Sequence, residues 1–559
     1  MRPSAPGRVR RRGTEDGLRP TLPAMPAWRR REGGSAARGS PAPAPVVPPP
    51  DRVQRPGAEG GPPPRGLGGL VLRGAAFSGA GFASRQVISF ASSLVLARLV
   101  TPAEFGTFVT GMIIIELGGS LAGSGMLAAL IQRRDRLEEA ANTALLATVA
   151  GGLAMALTQA AVAPLWGAFF HSDEVAAVAA VTSGMLLLST AAIVPNALLQ
   201  RRFSFVRRAV VEPLTAVTYG AVAIGACAAG MGTWGLVLGT YSASVVAFSL
   251  TWALARWRPR PGLATIPMWR ELARFARHIV ASTALERVVL VAPVAVLGRF
   301  TGQPAVGNFG YAFRMAILPR SAAIDVGSFV LLPAFAAIAD EVERFRAAFL
   351  RSLRMLCIVA MPSSIILLPL GAPLVAVLFG SEWRPAGVAL AALCLYSPGL
   401  ALVDLALEAF KSTGRPAVIT RMIAVRGATA IALMIALVPF GLTGVATALS
   451  LGAVIAGGYA LWLLDRVLGV PLGGMLRAVW PPLLAAGLMA GGVLALDRLA
   501  LHAGDHGTVL GLVLLGVEGL VGAGSYLGAL AVLSPRDARA LARAVRRRLP
   551  GGRGERAAS

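Results

Sequence analysis

The sequence predicts an all-α polytopic membrane protein with about fourteen transmembrane helices, and three observations carry that prediction. Of 559 residues, 55% are hydrophobic and only 14% are charged, where a water-soluble chain carries about a quarter charged. Apolar segments of about 20 residues recur along the chain, each able to cross a hydrocarbon core of roughly 30 Å. Backbone groups in that core find no water, so the segments must be helices. Finally, one corner between two apolar runs is written twice. LARLVTPAEFGTFVTGM (96–112) returns as LGRFTGQPAVGNFGYAFRM (297–315), with Leu96, Arg98, Gly106 and Phe108 falling on Leu297, Arg299, Gly307 and Phe309.

In chain order the spans are expected near 75–97, 106–129, 140–163, 176–199, 209–229, 234–254, 279–298, 306–333, 353–378, 386–409, 417–438, 443–464, 478–499 and 508–533. The connecting segments alternate in charge. QRRDR (132–136), QRRFSFVRR (200–208), the long segment 256–278, DEVERFRAAFLRSLR (340–354) and KSTGRP (411–416) form the basic set. The other set offers Arg98, Arg299, Arg384 and Arg498, never more than one cation per loop. The positive-inside rule places the basic set, and with it both termini, in the cytoplasm. Within 256–278, Trp269, Leu272, Phe275 and Ala276 share a helical face opposite Arg270, Arg274 and Arg277, which predicts an interfacial amphipathic helix.

The corner joins spans 1 and 2, and its copy joins spans 7 and 8. Because six spans separate them, the second unit enters the membrane in the same sense as the first, so the repeats are parallel. GTWGLVLG (232–239) and GLTGVATA (441–448) repeat more faintly in matching places. The expected organisation is a tail (1–66), an N-terminal lobe (67–255), a cytoplasmic amphipathic linker (256–278), a C-terminal lobe (279–465), two further helices (466–533) and a basic tail (534–559). Two parallel six-helix lobes then enclose a central cavity.

The net charge of +25 does not point to nucleic acid, since much of it sits in the two tails. The first tail is rich in Arg, Pro and Gly and is expected to be disordered. No apolar core follows its arginines, so it does not read as a signal peptide, and Met25 is an alternative start. Basic tails beside a membrane most simply contact anionic lipid. Cys227, Cys357 and Cys394 fall in apolar runs without metal spacing. His502, Asp505 and His506 offer three ligands without a fourth in an outer loop, so no metal is expected.

LARLVTPAEFG, SGMLAALIQRRD (124–135), LLQRRFSFVRR and GTWGLV resemble the N-terminal lobe of bacterial oligosaccharide flippases. GRFTGQPAVGNFGYAFRM, LLPAFAAIADEVERFRAAFLRSLRM, LFGSEWRPAGVAL and EAFKSTGRP resemble the C-terminal lobe. The family is the polysaccharide-transport branch of the MOP exporter superfamily, which also holds multidrug exporters and lipid II flippases, and the resemblance covers roughly 70–465. It implies movement of undecaprenyl-pyrophosphate-linked oligosaccharides across the plasma membrane for exopolysaccharide, capsule or O-antigen synthesis. Its implied partners are the lipid-linked substrate, membrane lipids, and polymerases and glycosyltransferases of the same pathway.

Ionisable groups inside spans are costly and mark candidate pathways. Span 1 carries Ser78, Arg85, Ser89 and Ser92 in one polar stripe flanked by Gln86 and Ser93. A guanidinium fork suits phosphate oxygens, so Arg85 either meets the pyrophosphate or pairs with an acid such as Glu116 of span 2. Arg287 takes nearly the repeat-equivalent place, beside Glu286, and neighbours in sequence face different partners. Tyr311, Arg314, Ser321 and Asp325 share one direction in span 8, where Pro319 should kink the helix. Arg314 is a candidate for phosphate or sugar, and Asp325 either neutralises it or binds a proton. Asp404 is a candidate coupling-ion site, while Glu408 and Lys411 form an i,i+3 pair. Glu212 is expected to reach toward Arg207 and Arg208. Arg98 and Arg299 read as interface anchors. The substrate-binding candidates are thus Arg85, Gln86, Arg287 and Arg314, and the coupling or pairing candidates Glu116, Glu286, Asp325 and Asp404.

No nucleotide-binding Gly-rich loop is present, so no cofactor is expected and the drive would be a proton, a sodium ion or the membrane potential. The competing readings are a small-molecule or drug antiporter of the same superfamily, and a membrane polysaccharide polymerase or ligase. An exporter of cations should favour carboxylates in its cavity, whereas Arg85, Arg287 and Arg314 stand beside the acids here. A polymerase or ligase should present catalytic groups on a sizeable outer domain, and every outer loop is short.

Overall fold

The chain divides into two units, Met1–Arg65 and Gly66–Ser559. The computed structural model describes residues 67–133, 135–201, 205–320, 331, 334–535 and 538–539, all within the second unit. Every regular element among them is helical. In order they are α1 (Leu67–Leu99), α2 (Pro102–Gln132), α3 (Leu137–Phe170), α4 (Asp173–Thr182), α5 (Gly184–Ala191), α6 (Ile193–Arg201), α7 (Phe205–Ala228), α8 (Gly232–Ala255), α9 (Ile266–Phe300), α10 (Gln303–Ala316), α11 (Val342–Ile365), α12 (Leu367–Phe379), α13 (Arg384–Ala392), α14 (Tyr396–Ser412), α15 (Pro416–Leu437), α16 (Gly441–Leu468), α17 (Leu472–Leu496) and α18 (Thr508–Leu533). On length and apolarity, eight described stretches suffice to cross a membrane, or nine if α13 and α14, bent by 44° at their junction, make one span. Fourteen remains the count read from the sequence.

α1, α7 and α8 pack side by side in the N-terminal half, where α3 packs on α2 and α4. In the C-terminal half α16 lies along α14 and α15, and α17 joins α11 to α18. The halves meet along α2, which packs on both α9 and α10. Small residues allow these approaches, as membrane helices require when lipid offers as apolar a partner as leucine. A Cβ built on Gly125 of α2 would meet Ala276 of α9, and one on Gly399 of α14 would meet the Ala453 backbone of α16.

Several sequence expectations change. The amphipathic segment is not a separate helix, because α9 runs unbroken for 35 residues from Ile266. Its N-cap is Thr265, whose hydroxyl accepts from the Met268 amide. The buried stripe is Met268 and Leu272, packed on Leu130, Ala141 and Leu198, and Ala276, against Gly125, while Trp269 and Phe275 are exposed. Expected span 8 is interrupted: α10 ends at Ala316, Ile317 makes a turn and helix resumes at Leu318, a break beside Pro319, which has no backbone N–H to continue the ladder. Expected span 9 is two helices meeting at Ile366, between Pro362 and Pro369. Segment 340–354 is mostly the first turns of α11, braced by Arg344–Glu341 at 2.7 Å and Arg346–Glu343 at 2.8 Å.

Candidate functional site

One end of the helical unit, outer by the positive-inside reading of the sequence, is built from the repeated corner. Thr101 caps α2 in a capping box with Glu104, and Gly302, at φ +93°, turns α9 into α10. The two copies lie against one another. A Cβ on Gly106 would collide with the Gln303 carbonyl, and one on Gly307 would collide with the Pro102 carbonyl. Pro102 and Gln303 are themselves repeat equivalents, so the contact is symmetric. The Thr110 hydroxyl donates to Gln303 Oε1 at 2.7 Å across the same boundary. Beneath it Phe105, Tyr311 and Trp383 form an aromatic cluster, with Tyr311 and Trp383 edge to face at 4.4 Å. Trp383 Nε1 donates to the Ala97 carbonyl at 2.8 Å, and the Tyr311 hydroxyl to the Ser93 carbonyl at 3.2 Å. The fainter repeat behaves alike: Gly232 (φ +49°) abuts Glu104 of the first corner, and Gly441 (φ +64°) abuts Thr301 of the second.

Two arginines close the rim in matching fashion. Arg98 reaches the C-terminus of α12, donating to the Val377 carbonyl at 3.1 Å and the Leu378 carbonyl at 3.2 Å. Arg299 reaches the C-terminus of α3, with Nη1 3.3 Å from His171 Nδ1 and its guanidinium over the Phe169 ring at 5.7 Å. Each cation therefore sits at the negative end of a helix belonging to the opposite half.

Below this closure lies a belt of charge. At 1.5 Å per residue, Arg85, Glu116, Arg287 and Arg314 stand roughly 16 to 21 Å from the outer ends of their helices. Arg287 Nη1 and Glu116 Oε2 are 3.3 Å apart, joining α9 to α2 across the halves. Arg85 pairs loosely with Glu212 of α7 at 3.8 Å. Gln86, Glu286 and Arg314 are exposed. Arg85 is thus paired with Glu212 and not with Glu116, while the side chains of Arg207 and Arg208, toward which Glu212 was expected to reach, lie outside those described. Asp325 lies outside the described residues.

A cavity of about 320 Å³ opens within the C-terminal half, walled by α9, α10, α14, α15 and α16. Its polar lining is Glu286, Arg287, Arg320, Tyr396, Asp404 and Arg426. Arg320 Nε donates to Asp404 Oδ2 at 2.6 Å, and both side chains are largely buried. Asp404 therefore holds a guanidinium where a coupling cation was expected. Arg426 carries a buried Nε–H that no acceptor reaches among the described residues. Three guanidiniums and two carboxylates line this chamber, and Arg287 also holds the Glu116 carboxylate of α2. Glu286 and Arg287, neighbours on α9 expected to have different partners, both line it. Glu408 and Lys411 pair at 2.9 Å, as their spacing predicts. Arg320 and Arg426 were legible as charges in apolar runs, yet nothing in the sequence said which way they turn.

At the end of α2 away from the repeated corner Arg133 holds Glu271 of α9 at 2.9 Å, with Arg136 3.6 Å from the same carboxylate. The hydrogen bond with Glu271 raises the Arg133 pKa above its ordinary value, and the same bond holds Glu271 below its own.

Residues 95–388, more than half of the sequence, match the family model described as polysaccharide biosynthesis protein. The chain belongs to that family. A second model, lipid II flippase MurJ, matches residues 294–514. Among curated relatives, the succinoglycan biosynthesis transport protein ExoT of Rhizobium meliloti is 26% identical over 61% of this chain and 70% of its own length. The lipopolysaccharide biosynthesis protein WzxC of Escherichia coli is 24% identical over 54% of this chain and 61% of its own. In fold the chain resembles the lipid II flippase MurJ in an inward closed conformation, with a TM-score of 0.68 and 17% identity, covering 84% of this chain and 100% of that one. It also resembles an inward-facing multidrug MATE transporter of the MOP superfamily at a TM-score of 0.57 and 17% identity, covering 69% and 98%. This member of the polysaccharide biosynthesis family is thus a multi-pass helical membrane protein with the architecture shared by those transporters.

Proposed function

We propose that the protein moves an undecaprenyl-pyrophosphate-linked oligosaccharide from the cytoplasmic to the outer leaflet by alternating access. The observation that carries this reading is the Arg287–Glu116 contact at 3.3 Å, an ion pair between the two halves below an outer closure made from both copies of the corner. Side chains that bridge the halves in one state must part in the other, and a phosphorylated headgroup can replace the carboxylate on the guanidinium as they do so. Arg85, Arg314 and Gln86 complete the cationic and polar belt from α1 and α10, while Arg320 and Arg426 extend it into the C-terminal chamber. The names of the curated relatives and the flippase-like fold support the same substrate class. Both termini are assigned to the cytoplasm, in the inner membrane of a bacterium, with glycosyltransferases and a polymerase as pathway partners.

The drug-antiporter reading is less well supported, since a cationic drug would meet three guanidiniums in the chamber, whose Asp404 already holds Arg320. The test is flipping of a fluorescent undecaprenyl-pyrophosphate oligosaccharide in liposomes containing the purified protein. Transport by the parent, lost in Arg85→Ala and in Arg287→Ala while both remain folded, is the expected result. Full transport by both variants would remove the arginine belt from the pathway.

A further inference from the structure

Glu518, in the middle of α18, is fully buried. Among the described residues no donor reaches either of its carboxyl oxygens. α18 packs along α17 with Gly522 against Val493 and Met489 and Gly511 against the Ala503 carbonyl, which sets Glu518 level with Asp497 where α17 ends. Two carboxylates cannot hydrogen-bond each other, because both only accept; the contact needs a proton between them. We propose that Glu518 and Asp497 form a proton-binding site, holding one shared proton, that ties the terminal helix pair to the outer end of α12 and hence to Arg98.

The surroundings leave no other way to neutralise the pair. α12 carries no ionisable residue, and beyond Arg354 the only ionisable group of α11 is the Cys357 thiol. The charges of α11 lie at its start, from Glu343 to Arg354, and Arg477 lies in the first turns of α17. Arg498 follows Asp497 but is exposed, and in the outer turn His506 Nδ1 lies 3.0 Å from the His502 carbonyl, both rings within a turn that also carries Asp505. The remaining titratable group of α18 is Tyr526, whose hydroxyl donates to the Ile358 carbonyl at 2.9 Å. An ionised carboxylate buried there would cost several kcal/mol, and two adjacent ones more. One proton removes one charge and makes the bond.

The path outward is short. Asp497 Oδ1 accepts from the Ala503 amide at 3.0 Å, which fixes the turn 503–505. In that turn Gly504 packs on Pro373 of α12, where a Cβ would lie 3.3 Å from the proline Cα, and Gly511 of α18 packs on Val377. Val377 offers the carbonyl that Arg98 grips from the other half. Losing the proton places two like charges side by side, pushes Asp497 and its turn outward, and loosens the end of α12 on which the Arg98 contact depends. Low outer pH therefore favours outer closure, and a rise in pH favours release. The inference rests on the transport reading only in treating this closure as one state of a cycle.

The test uses the full chain in lipid nanodiscs. Infrared spectroscopy at neutral pH should show a protonated carboxyl band that disappears in Glu518→Gln, whose amide keeps the shape and can still donate to Asp497. Identical spectra for parent and variant in that region would overturn the site. Spin labels on Met231→Cys and Phe440→Cys, in the exposed turns before α8 and α16, report the outer separation of the halves. Raising the pH should lengthen this distance in the parent and leave it short in Glu518→Gln. Equal pH responses in the two proteins, or none in a folded parent, would overturn the link. Neither measurement involves a glycolipid, so failure here leaves flipping untouched, and failure to flip leaves the band untouched.

Discussion

Gly106 and Gly307 face each other across the boundary between the halves, each standing where a side chain would strike the backbone of the opposite corner. The relation is reciprocal because both residues belong to one repeated motif and the motif meets its own copy. A methyl group at either place has nowhere to go: the obstacle is a carbonyl of the first helical turn, not the flexible end of a side chain. Gly106→Ala should therefore disfavour outer closure by about 1–3 kcal/mol, a shift of roughly 5- to 150-fold toward the outward-open state. Labelling of an introduced cysteine in the aromatic cluster by an impermeant maleimide should rise accordingly, and Gly307→Ala should match it. Unchanged labelling in both would mean the corners do not close the outer side.

Arg98 and Arg299 should act in parallel. Each binds the C-terminal end of a helix in the opposite half, so each loss should weaken closure by about 0.5–2 kcal/mol. Arg98→Lys should rescue poorly, since one ammonium cannot span the Val377 and Leu378 carbonyls as a guanidinium does. The double variant, read by the same labelling, should exceed either single change.

Asp404 and Arg320 make a pair, and removing one partner leaves the other charge buried. Asp404→Asn should destabilise the folded protein by about 3–5 kcal/mol, seen as a lower unfolding temperature in detergent. Sodium should not alter the difference between parent and variant. A sodium-dependent stabilisation of the parent alone would instead restore Asp404 as a cation site.

Glu271 sits below its ordinary pKa of 4.5 because Arg133 donates to it. A depressed carboxylate contributes stability above its unfolded value, and that contribution is lost as the pH falls through the folded value. The contact between α9 and the end of α2 should hold at neutral pH and release on the acid side of about pH 4.5. Hydrogen exchange across residues 266–276 should quicken there, and Glu271→Gln should remove the pH step.

Much of this protein is legible in its residues. Composition and apolar length determine that it is a helical membrane protein, because hydrocarbon leaves the backbone no alternative. The repeated corner, which meets its own copy in the structure, is visible in the sequence, and the Glu408–Lys411 pair follows from helical spacing alone. What the sequence does not determine is partnership across helices. Arg85 pairs with Glu212 and not Glu116, Glu116 pairs with Arg287, and Asp404 holds Arg320. The direction of a side chain around its own axis can be read from spacing, whereas the rotation and neighbours of a whole helix are set by packing of small residues against distant backbone. Only the tertiary structure holds that information, and it is where the charges find one another.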